Sequence, residues 1–463
     1  SNLIVVEAGK LKSSTGCNFL PSFLTANKWR LDGAPDKVKS VVEPSPVNVS
    51  VDDTVGLFNL FDIAKAFNLF TSTTGDKLAF DELIVKLNTI DLEPDISFVW
   101  FISLATNFGS SKYNGQVNKI NHYKFSKLEN FNQFNFEPLI LKNGVIVFEK
   151  KGTIIRINDN KKVVWKNNIY SKTEKKIHPI LSFAMTDKNL LVADSIAKIS
   201  SINLQTGNLI WSKKSEYPFN SEIKIFKDKF FVVDFKNTLR CFYIKDGTEC
   251  WNVKTEDSFT VSNSKFSILI KDNLVIYNNS LGDITAVDIS SGLIQWQLPT
   301  QTSSIMNETY GFNFSKLVSD GSSIYFSNNK NQFYSVDLKS GTTNWMNEIN
   351  SILTPIIIDN FIFTVSENGY LFTIQKNEGN IIRINDIYKN FNLKKRKRIK
   401  PTGFTIGGNN LYLTNSDGNL IVISLSAGNI LKIEKVGRDL ISKPLIYNEN
   451  LFIVKNGSIT QYD

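Results

Sequence analysis

Residues 189–211 read NLLVADSIAKISSINLQTGNLIW. An apolar run comes first, then a polar turn, then a strand in which apolar and polar residues tend to alternate, and finally a turn at Gly207 followed by Trp211. Alternation with a period of two is typical of a half-buried β-strand. The Thr206-Gly207 pair supplies a residue that tolerates positive φ where a hairpin must turn. This stretch therefore predicts short antiparallel strands joined by tight turns.

The same arrangement recurs downstream in one register. Residues 229–251, 273–296 and 323–345 each end in Trp, and in all four copies a glycine precedes the Trp by four residues. The pairs are Gly207 and Trp211, Gly247 and Trp251, Gly292 and Trp296, and Gly341 and Trp345. A related upstream copy, residues 144–165, ends in Trp165 and has no glycine at that turn.

Two later copies keep the glycine and lose the aromatic residue. Gly379 is followed at the same offset by Arg383, and Gly428 by Lys432. The six turn glycines lie 40, 45, 49, 38 and 49 residues apart, which is the period of a four-stranded propeller blade. We therefore predict an all-β propeller in which the Trp side chains pack between neighbouring blades. The alternative interpretation of these Trp side chains is ligand stacking.

Seven copies are complete, and the chain ends with a partial copy at residues 442–462. An open propeller would expose strand edges, which promote aggregation. The missing strand is therefore expected from upstream of the first blade, within residues 119–125. The prediction is an eight-bladed propeller over residues 126–463, with seven blades as the alternative count.

The repeat does not explain residues 1–125, which we predict to form an N-terminal α+β or arm domain of unknown type. Apolar residues recur at helical spacing in residues 52–70 and 76–90, and this predicts a helical hairpin near residues 52–90. Residues 71–75 between the two helices lack the acidic oxygens of a calcium-binding loop, so no calcium site is expected there.

The TG-x-x-x-W ending of these copies, as in Thr206-Gly207-Asn208-Leu209-Ile210-Trp211, resembles the repeats of the pyrroloquinoline-quinone-type propeller superfamily. The resemblance covers about residues 130–463. Within the superfamily the chain is most similar to the family of eight-bladed, non-enzymatic propeller lipoproteins of the bacterial β-barrel assembly machine. That resemblance implies a periplasmic scaffold that binds other proteins. The chain departs from the family in having no lipobox cysteine at its start.

The enzymes of the superfamily, the quinoprotein dehydrogenases, resemble one another in an adjacent Cys-Cys pair over the quinone. Here the cysteines are Cys17, Cys241 and Cys250, and none are adjacent. Cys241 and Cys250 are expected to be buried thiols on one hairpin, with a disulfide or reactive pair as the alternative. Only two histidines are present, which leaves little room for a His-based metal site or a Ser-His-Asp arrangement. We therefore predict no enzyme, no catalytic residue, no cofactor and no metal.

Much of the formal net charge of +9 is concentrated in one segment. Six positive charges fall within seven residues: Lys394, Lys395, Arg396, Lys397, Arg398 and Lys400. This basic segment is interpreted either as a solvated loop or as a docking site for an acidic protein surface, anionic lipid or nucleic acid.

Together these features predict a non-catalytic scaffold that mediates protein–protein interactions, with envelope or outer-membrane protein assembly as its setting. The expected partners are other proteins, bound by the loop faces of the propeller and by the N-terminal domain, and no small-molecule substrate is predicted. The alternative is a structural subunit of a larger oligomeric assembly, such as a phage virion, a tail or a surface appendage. A quinone-dependent dehydrogenase is the least favoured hypothesis. The first residues lack the features of a secretory signal, so the expected compartment is the periplasm or envelope if a signal was removed, and the cytoplasm or a virion otherwise.

Overall fold

The computed structural model describes residues 110–111, 113, 115–128, 131, 136–256, 264–300, 313–437 and 441–463. The helical hairpin predicted near residues 52–90 lies outside them. Within the described part of the chain, no helix is both long enough and apolar enough to span a bilayer.

The strands form eight four-stranded antiparallel blades of a propeller ring. Two strands precede the repeats, β1 (Ser110–Ser111) and β2 (Lys119–Lys124). Strands β3 to β18 run Leu139–Leu141, Gly144–Glu149, Thr153–Ile157 and Val163–Asn167 in blade 1; Leu181–Met185, Asn189–Asp194, Lys198–Asn203 and Leu209–Lys214 in blade 2; Lys224–Phe226, Lys229–Val233, Thr238–Tyr243 and Glu249–Lys254 in blade 3; and Ile268–Lys271, Leu274–Asn278, Ile284–Asp288 and Ile294–Leu298 in blade 4.

The remaining blades continue the same pattern. Strands β19 to β33 run Val318–Ser319, Ser323–Asn328, Gln332–Asp337 and Thr343–Asn347 in blade 5; Ile356–Ile358, Phe361–Val365, Tyr370–Gln375 and Ile381–Asp386 in blade 6; Pro401–Gly407, Asn410–Asn415, Asn419–Ser424 and Ile430–Lys435 in blade 7; and Leu445–Tyr447, Asn450–Lys455 and Ser458–Tyr462 in blade 8. The described helices are two 3-10 turns, Lys150–Gly152 and Glu174–Ile177, and one α-helix, α1, at Leu393–Arg398.

Blade 8 is completed by β2, which comes from upstream of blade 1. Strand β2 pairs antiparallel with β33, so that His122 lies opposite Thr460 and Tyr123 opposite Ile459. The predictions of eight blades and of a closing strand from this part of the chain are both confirmed. Blade 7 carries one additional strand, because β1 pairs in parallel with β27.

Strand direction alternates within each blade, and this separates the connections onto two faces of the ring. The segments that link successive blades, together with the turns between second and third strands, lie on what we name the linker face. The turns between first and second strands and between third and fourth strands lie on the opposite, turn face. The first strand of each blade is nearest the central channel, and the fourth is on the outer rim.

Aspartate and asparagine side chains close the turns between second and third strands. The Asp194 carboxylate accepts hydrogen bonds from the backbone N–H groups of Ile196 at 2.9 Å and Lys198 at 2.8 Å. Four side chains in other blades likewise accept hydrogen bonds from two backbone N–H groups, two and four residues further along the chain: Asp234, Asn279, Asn328 and Asn415. These side chains satisfy backbone groups at the turn and favour it over continued strand.

The hydrophobic core lies between blades. Ile276 and Ala286 of blade 4 pack in one buried cluster with Ile324 and Phe326 of blade 5, and all four are fully inaccessible to solvent. Because each blade contributes apolar residues to both of its neighbours, the ring is stabilised by burial at every junction.

Candidate functional site

Each repeat Trp contacts the next blade along the chain. The Trp165 indole N–H donates to the Leu204 carbonyl at 3.1 Å, and the Trp296 indole N–H donates to the Leu338 carbonyl at 3.1 Å. The other three pairs are Trp211 with the Ile244 carbonyl at 2.9 Å, Trp251 with the Ile289 carbonyl at 3.1 Å, and Trp345 with the Lys376 carbonyl at 2.9 Å. A buried indole needs such an acceptor for its N–H group. All five rings are thus engaged by a neighbouring blade.

The turn glycine of each following blade lies directly against the preceding Trp. Gly207 has φ +76°, and a Cβ atom there would stand 2.6 Å from the Trp165 ring. The equivalent approaches are Gly247 to Trp211 at 2.5 Å, Gly292 to Trp251 at 2.8 Å, Gly341 to Trp296 at 2.5 Å and Gly379 to Trp345 at 2.6 Å. Sequence reasoning placed glycine here for the turn alone. The structure adds a second requirement, because any side chain would displace the indole.

The basic segment is largely helical, and its description as a loop is wrong. Helix α1 begins after Asn392, whose side-chain oxygen accepts from the backbone N–H of Lys395 at 2.8 Å. An asparagine N-cap before a run of Lys and Arg, which are good helix formers, is the signal that sequence reasoning missed.

Four of the six basic side chains of this segment form ion pairs within the ring. Arg396 contacts Asp386 at 2.6 Å, and Lys400 contacts Glu367 at 2.9 Å. Lys395 and Arg398 share Asp417, at 3.8 Å and 3.4 Å. The remaining two, Lys394 and Lys397, are exposed and have no ion pair among the described residues. The charge available to a partner is therefore smaller than the sequence indicates.

Cys241 and Cys250 are free thiols in the structure. Cys241 is fully buried in the cluster between blades 3 and 4, where it packs with Val233, Leu239 and Phe266. Burial raises the pKa of its thiol well above the ordinary value, so it is protonated at neutral pH. Among the described residues, no group of three or more His, Cys, Asp or Glu side chains is placed to hold a metal ion.

A set of charged side chains that sequence reasoning missed lines the central channel on the linker face. We name it the channel cluster, and its members are Glu137, Glu222, Lys224, Lys265, Lys316 and Lys443. Lys316 Nζ lies 2.6 Å from Glu137 Oε1 and 3.2 Å from Glu222 Oε2. Glu137 precedes blade 1 and Lys316 precedes blade 5, on the far side of the ring. Their contact therefore spans the channel axis.

Two further lysines of the channel cluster have defined contacts. Lys224 Nζ lies 3.5 Å from Glu222 Oε2, and both side chains are nearly buried. Glu222 also accepts from the backbone N–H of Ile268 at 3.1 Å through its other oxygen. Lys265 Nζ donates to the hydroxyl of Ser182 at 2.9 Å.

The family model described as outer membrane protein assembly factor BamB matches residues 137–385, which is more than half of the chain. The chain belongs to this family. One relative, the outer membrane protein assembly factor BamB of Moranella endobia (strain PCIT), is 21% identical over 335 residues, which cover 70% of this chain and 84% of the relative.

Solved structures show the same fold. The crystal structure of BamB from Moraxella catarrhalis superposes with a TM-score of 0.61 at 15% identity, covering 75% of this chain and 99% of that one. The quinohemoprotein alcohol dehydrogenase from Comamonas testosteroni has a TM-score of 0.60 at 9% identity, with 84% of each chain covered. At these identities the likeness shows the propeller fold alone.

The electrostatics of the channel cluster in this BamB-family chain are set by burial and by mutual attraction. Burial raises the pKa of the Glu137 carboxyl, but the Lys316, Lys265 and Lys443 ammonium groups outweigh it and lower that pKa to about 2. Burial, and after it the positive charge of Lys316, lowers the pKa of Lys443 to about 8, although Glu137 and Glu222 act to raise it. The two cases differ because Glu137 has an ion-pair partner and Lys443 has none among the described residues.

The sequence did contain a signal for part of this cluster. Glu137, Glu222 and Lys443 each stand four residues before the end of the inner strand of their blade, at Leu141, Phe226 and Tyr447. A charged residue at one fixed repeat position next to the axis indicates a charged channel. The Trp and Gly register is visible in the sequence because those residues are nearly constant. The residue four positions before the end of the inner strand, in contrast, varies from blade to blade.

Proposed function

We propose that this chain is a non-catalytic scaffold of outer-membrane protein assembly, which holds protein partners on the loop faces of its propeller. Membership in the BamB family is the observation that carries the proposal. The named relative and the Moraxella catarrhalis structure are both BamB proteins. Supporting it, the sequence lacks the adjacent Cys-Cys pair that the quinoprotein dehydrogenases share.

Within this function, we propose the linker face around helix α1 as a docking surface for an acidic protein. Lys394 and Lys397 supply the positive charge there, because both are exposed and neither is used in an ion pair among the described residues. Leu393, which is 75% exposed at the start of the same helix, adds an apolar contact beside these charges. Rim charges of this kind act mainly on the rate and salt dependence of association.

The test is binding of the purified chain to an outer-membrane assembly complex prepared without its own BamB subunit, measured by biolayer interferometry. We expect saturable binding that weakens as salt rises. The double variant Lys394→Glu with Lys397→Glu should weaken it by about tenfold or more, since two attractions become repulsions. The matched control is Lys142→Glu with Lys339→Glu, which makes the same charge change at two exposed positions on the turn face.

Two outcomes would contradict these proposals separately. Absence of saturable binding by the unaltered chain would count against the assembly function. Equal weakening in the α1 variant and the turn-face control would leave the function standing and remove helix α1 as the docking surface.

The non-catalytic assignment is tested by titrating the chain with pyrroloquinoline quinone and calcium. A saturable change in quinone absorbance would contradict it.

A further inference from the structure

The channel cluster carries an excess of positive charge. Four lysines, Lys224, Lys265, Lys316 and Lys443, face two glutamates, Glu137 and Glu222, so with all six ionised the net charge is 4 − 2 = +2. The glutamates are already shared between Lys224 and Lys316.

The excess positive charge of the channel cluster comes from Lys265 and Lys443. Neither has a carboxylate within ion-pair distance among the described residues, and the hydrogen bond given for Lys265 goes to the neutral Ser182 hydroxyl. Both ammonium groups lie close enough to the Glu137–Lys316 pair to act on the pKa of Glu137. Separating charge of one sign from bulk water is costly without a counter-charge. The site is therefore electrostatically incomplete.

The position of Lys443 depends on a close backbone approach. A Cβ atom at Gly403 of β27 would stand 2.0 Å from the Lys443 Cβ, so only glycine at residue 403 permits this placement. The chain thus brings a lysine against its neighbouring blade, where it has no acidic partner among the described residues. Close packing against Gly403 does not by itself explain why the side chain at residue 443 is charged.

The channel also admits solvent. The Lys316 and Glu137 side chains keep 25% and 32% of their surface accessible although they meet across the axis. Small solutes that reach these side chains from the linker face would meet the surplus ammonium groups. An oxyanion is the chemical match, since its oxygens accept hydrogen bonds from ammonium donors and its charge balances theirs.

We propose that the channel cluster binds a small dianion with oxygen acceptors, in the class of phosphate and short dicarboxylates, with Lys443 as its principal contact and Lys265 as a second source of positive charge. The bound dianion brings the net charge of the cluster to zero. This inference rests on the channel geometry and is independent of the proposed assembly function.

The experiment uses the full chain in a phosphate-free buffer and two probes, inorganic phosphate and succinate, in separate calorimetric titrations at pH 7.5 with ionic strength matched by sodium chloride. We expect saturable binding of at least one probe with about one site per chain. The probe that binds distinguishes an inorganic from an organic source of the anion. A rise in melting temperature with that probe is the linked readout.

Lys443→Gln should weaken binding by about tenfold or more, because it removes the principal cation while keeping a polar side chain that can donate a hydrogen bond. Lys265→Gln should weaken it by a smaller factor. Lys172→Gln, which removes an exposed lysine from the segment between blades 1 and 2 on the linker face, is the matched control and should leave affinity unchanged. Circular dichroism and the melting curve of each variant establish that it is folded.

The proposal is overturned if neither probe binds saturably to the unaltered chain. It is also overturned if folded Lys443→Gln binds as tightly as the unaltered chain, or if Lys172→Gln loses as much affinity as Lys443→Gln. In the last case the anion would be held by the general positive field of the protein.

Discussion

The outer and inner parts of the blades are built on opposite principles. At the outer junctions the same neutral contact recurs five times, with a Trp indole bonded to a carbonyl of the next blade and seated on its glycine. At the channel, six charged side chains come from five different blades, and the contribution changes around the ring: a glutamate from blade 1, one glutamate and one lysine from blade 3, and a lysine each from blades 4, 5 and 8. The repeated Trp contact holds neighbouring blades together around the ring, whereas the charged contacts of the channel form a single site that is not repeated.

The junction between blades 6 and 7 shows what the outer contact requires. Arg383 stands at the Trp position and donates to the carbonyls of Leu425 and Ser426, and Asn385 lies against Gly428. Burial lowers the pKa of Arg383 to about 10, so it is still charged at neutral pH. A planar side chain that donates a hydrogen bond to a backbone carbonyl of the next blade is thus sufficient for the contact at this junction. An indole does this without the cost of burying a charge.

The largest expected effect comes from breaking the outermost strand that closes the ring. Tyr123→Pro removes a ladder N–H opposite Ile459 and a side chain that is 2% exposed. We expect a loss of about 4 kcal/mol or more and reduced cooperativity in denaturant unfolding followed by circular dichroism. Tyr123→Phe is the control and should cost no more than about 1 kcal/mol, because only the hydroxyl contacts are lost. A similar loss in both variants would contradict the role of the strand.

Removal of one repeat Trp is expected to rank next. Trp296→Ala empties a buried junction between blades 4 and 5 and should cost about 3–5 kcal/mol, measured by the same unfolding experiment. Trp296→Phe keeps most of the ring volume and loses the bond to the Leu338 carbonyl, so a smaller loss is expected. If Trp296→Ala unfolds at the denaturant concentration of the unaltered chain, the outer contact does not stabilise the ring.

A smaller effect is expected at the glycine beneath the Trp. Gly207→Ala adds a Cβ atom against Trp165 and also strains a backbone with φ +76°. Gly321→Ala is the matched control, since φ there is +98° but the nearest atom, on Lys271, is 3.4 Å away. We expect Gly207→Ala to lower the melting temperature by several degrees more than Gly321→Ala. Equal shifts would mean that backbone strain alone explains the glycine.

The smallest effect, and one of opposite sign, is expected in the channel. The pKa of Lys443 is about 8 in the folded chain against an ordinary 10.5, so between these pH values the unfolded chain binds more protons than the folded one. The stability contributed at this position therefore rises with pH across that window. Lys443→Met should melt at a higher temperature than the unaltered chain at pH 7, and the gap should shrink by pH 10. The melts are run without phosphate or carboxylate buffers, and a gap independent of pH would contradict the assignment.

The contrast between the two parts of the blades also explains what could be predicted. Trp211 and Gly207 belong to one short sequence motif that recurs every 38 to 49 residues, so their register could be predicted from the sequence alone. The closing strand followed from an argument about open edges, and β2 was found where that argument placed it. Helix α1 was missed because a run of lysines and arginines was interpreted by its charge, without regard to the Asn392 cap.

By itself the sequence determined the strands, the turns and the number of blades, because alternation and turn chemistry act between residues that are close in the chain. Only the tertiary structure decided which groups meet. Gly207 supports Trp165 and not Trp211, because each Trp reaches forward to the next blade. Glu137 meets Lys316, 179 residues away, because closure of the ring places blades 1 and 5 on opposite sides of one narrow channel. Such contacts leave no local pattern, since they depend on a ring that exists only when all eight blades have formed.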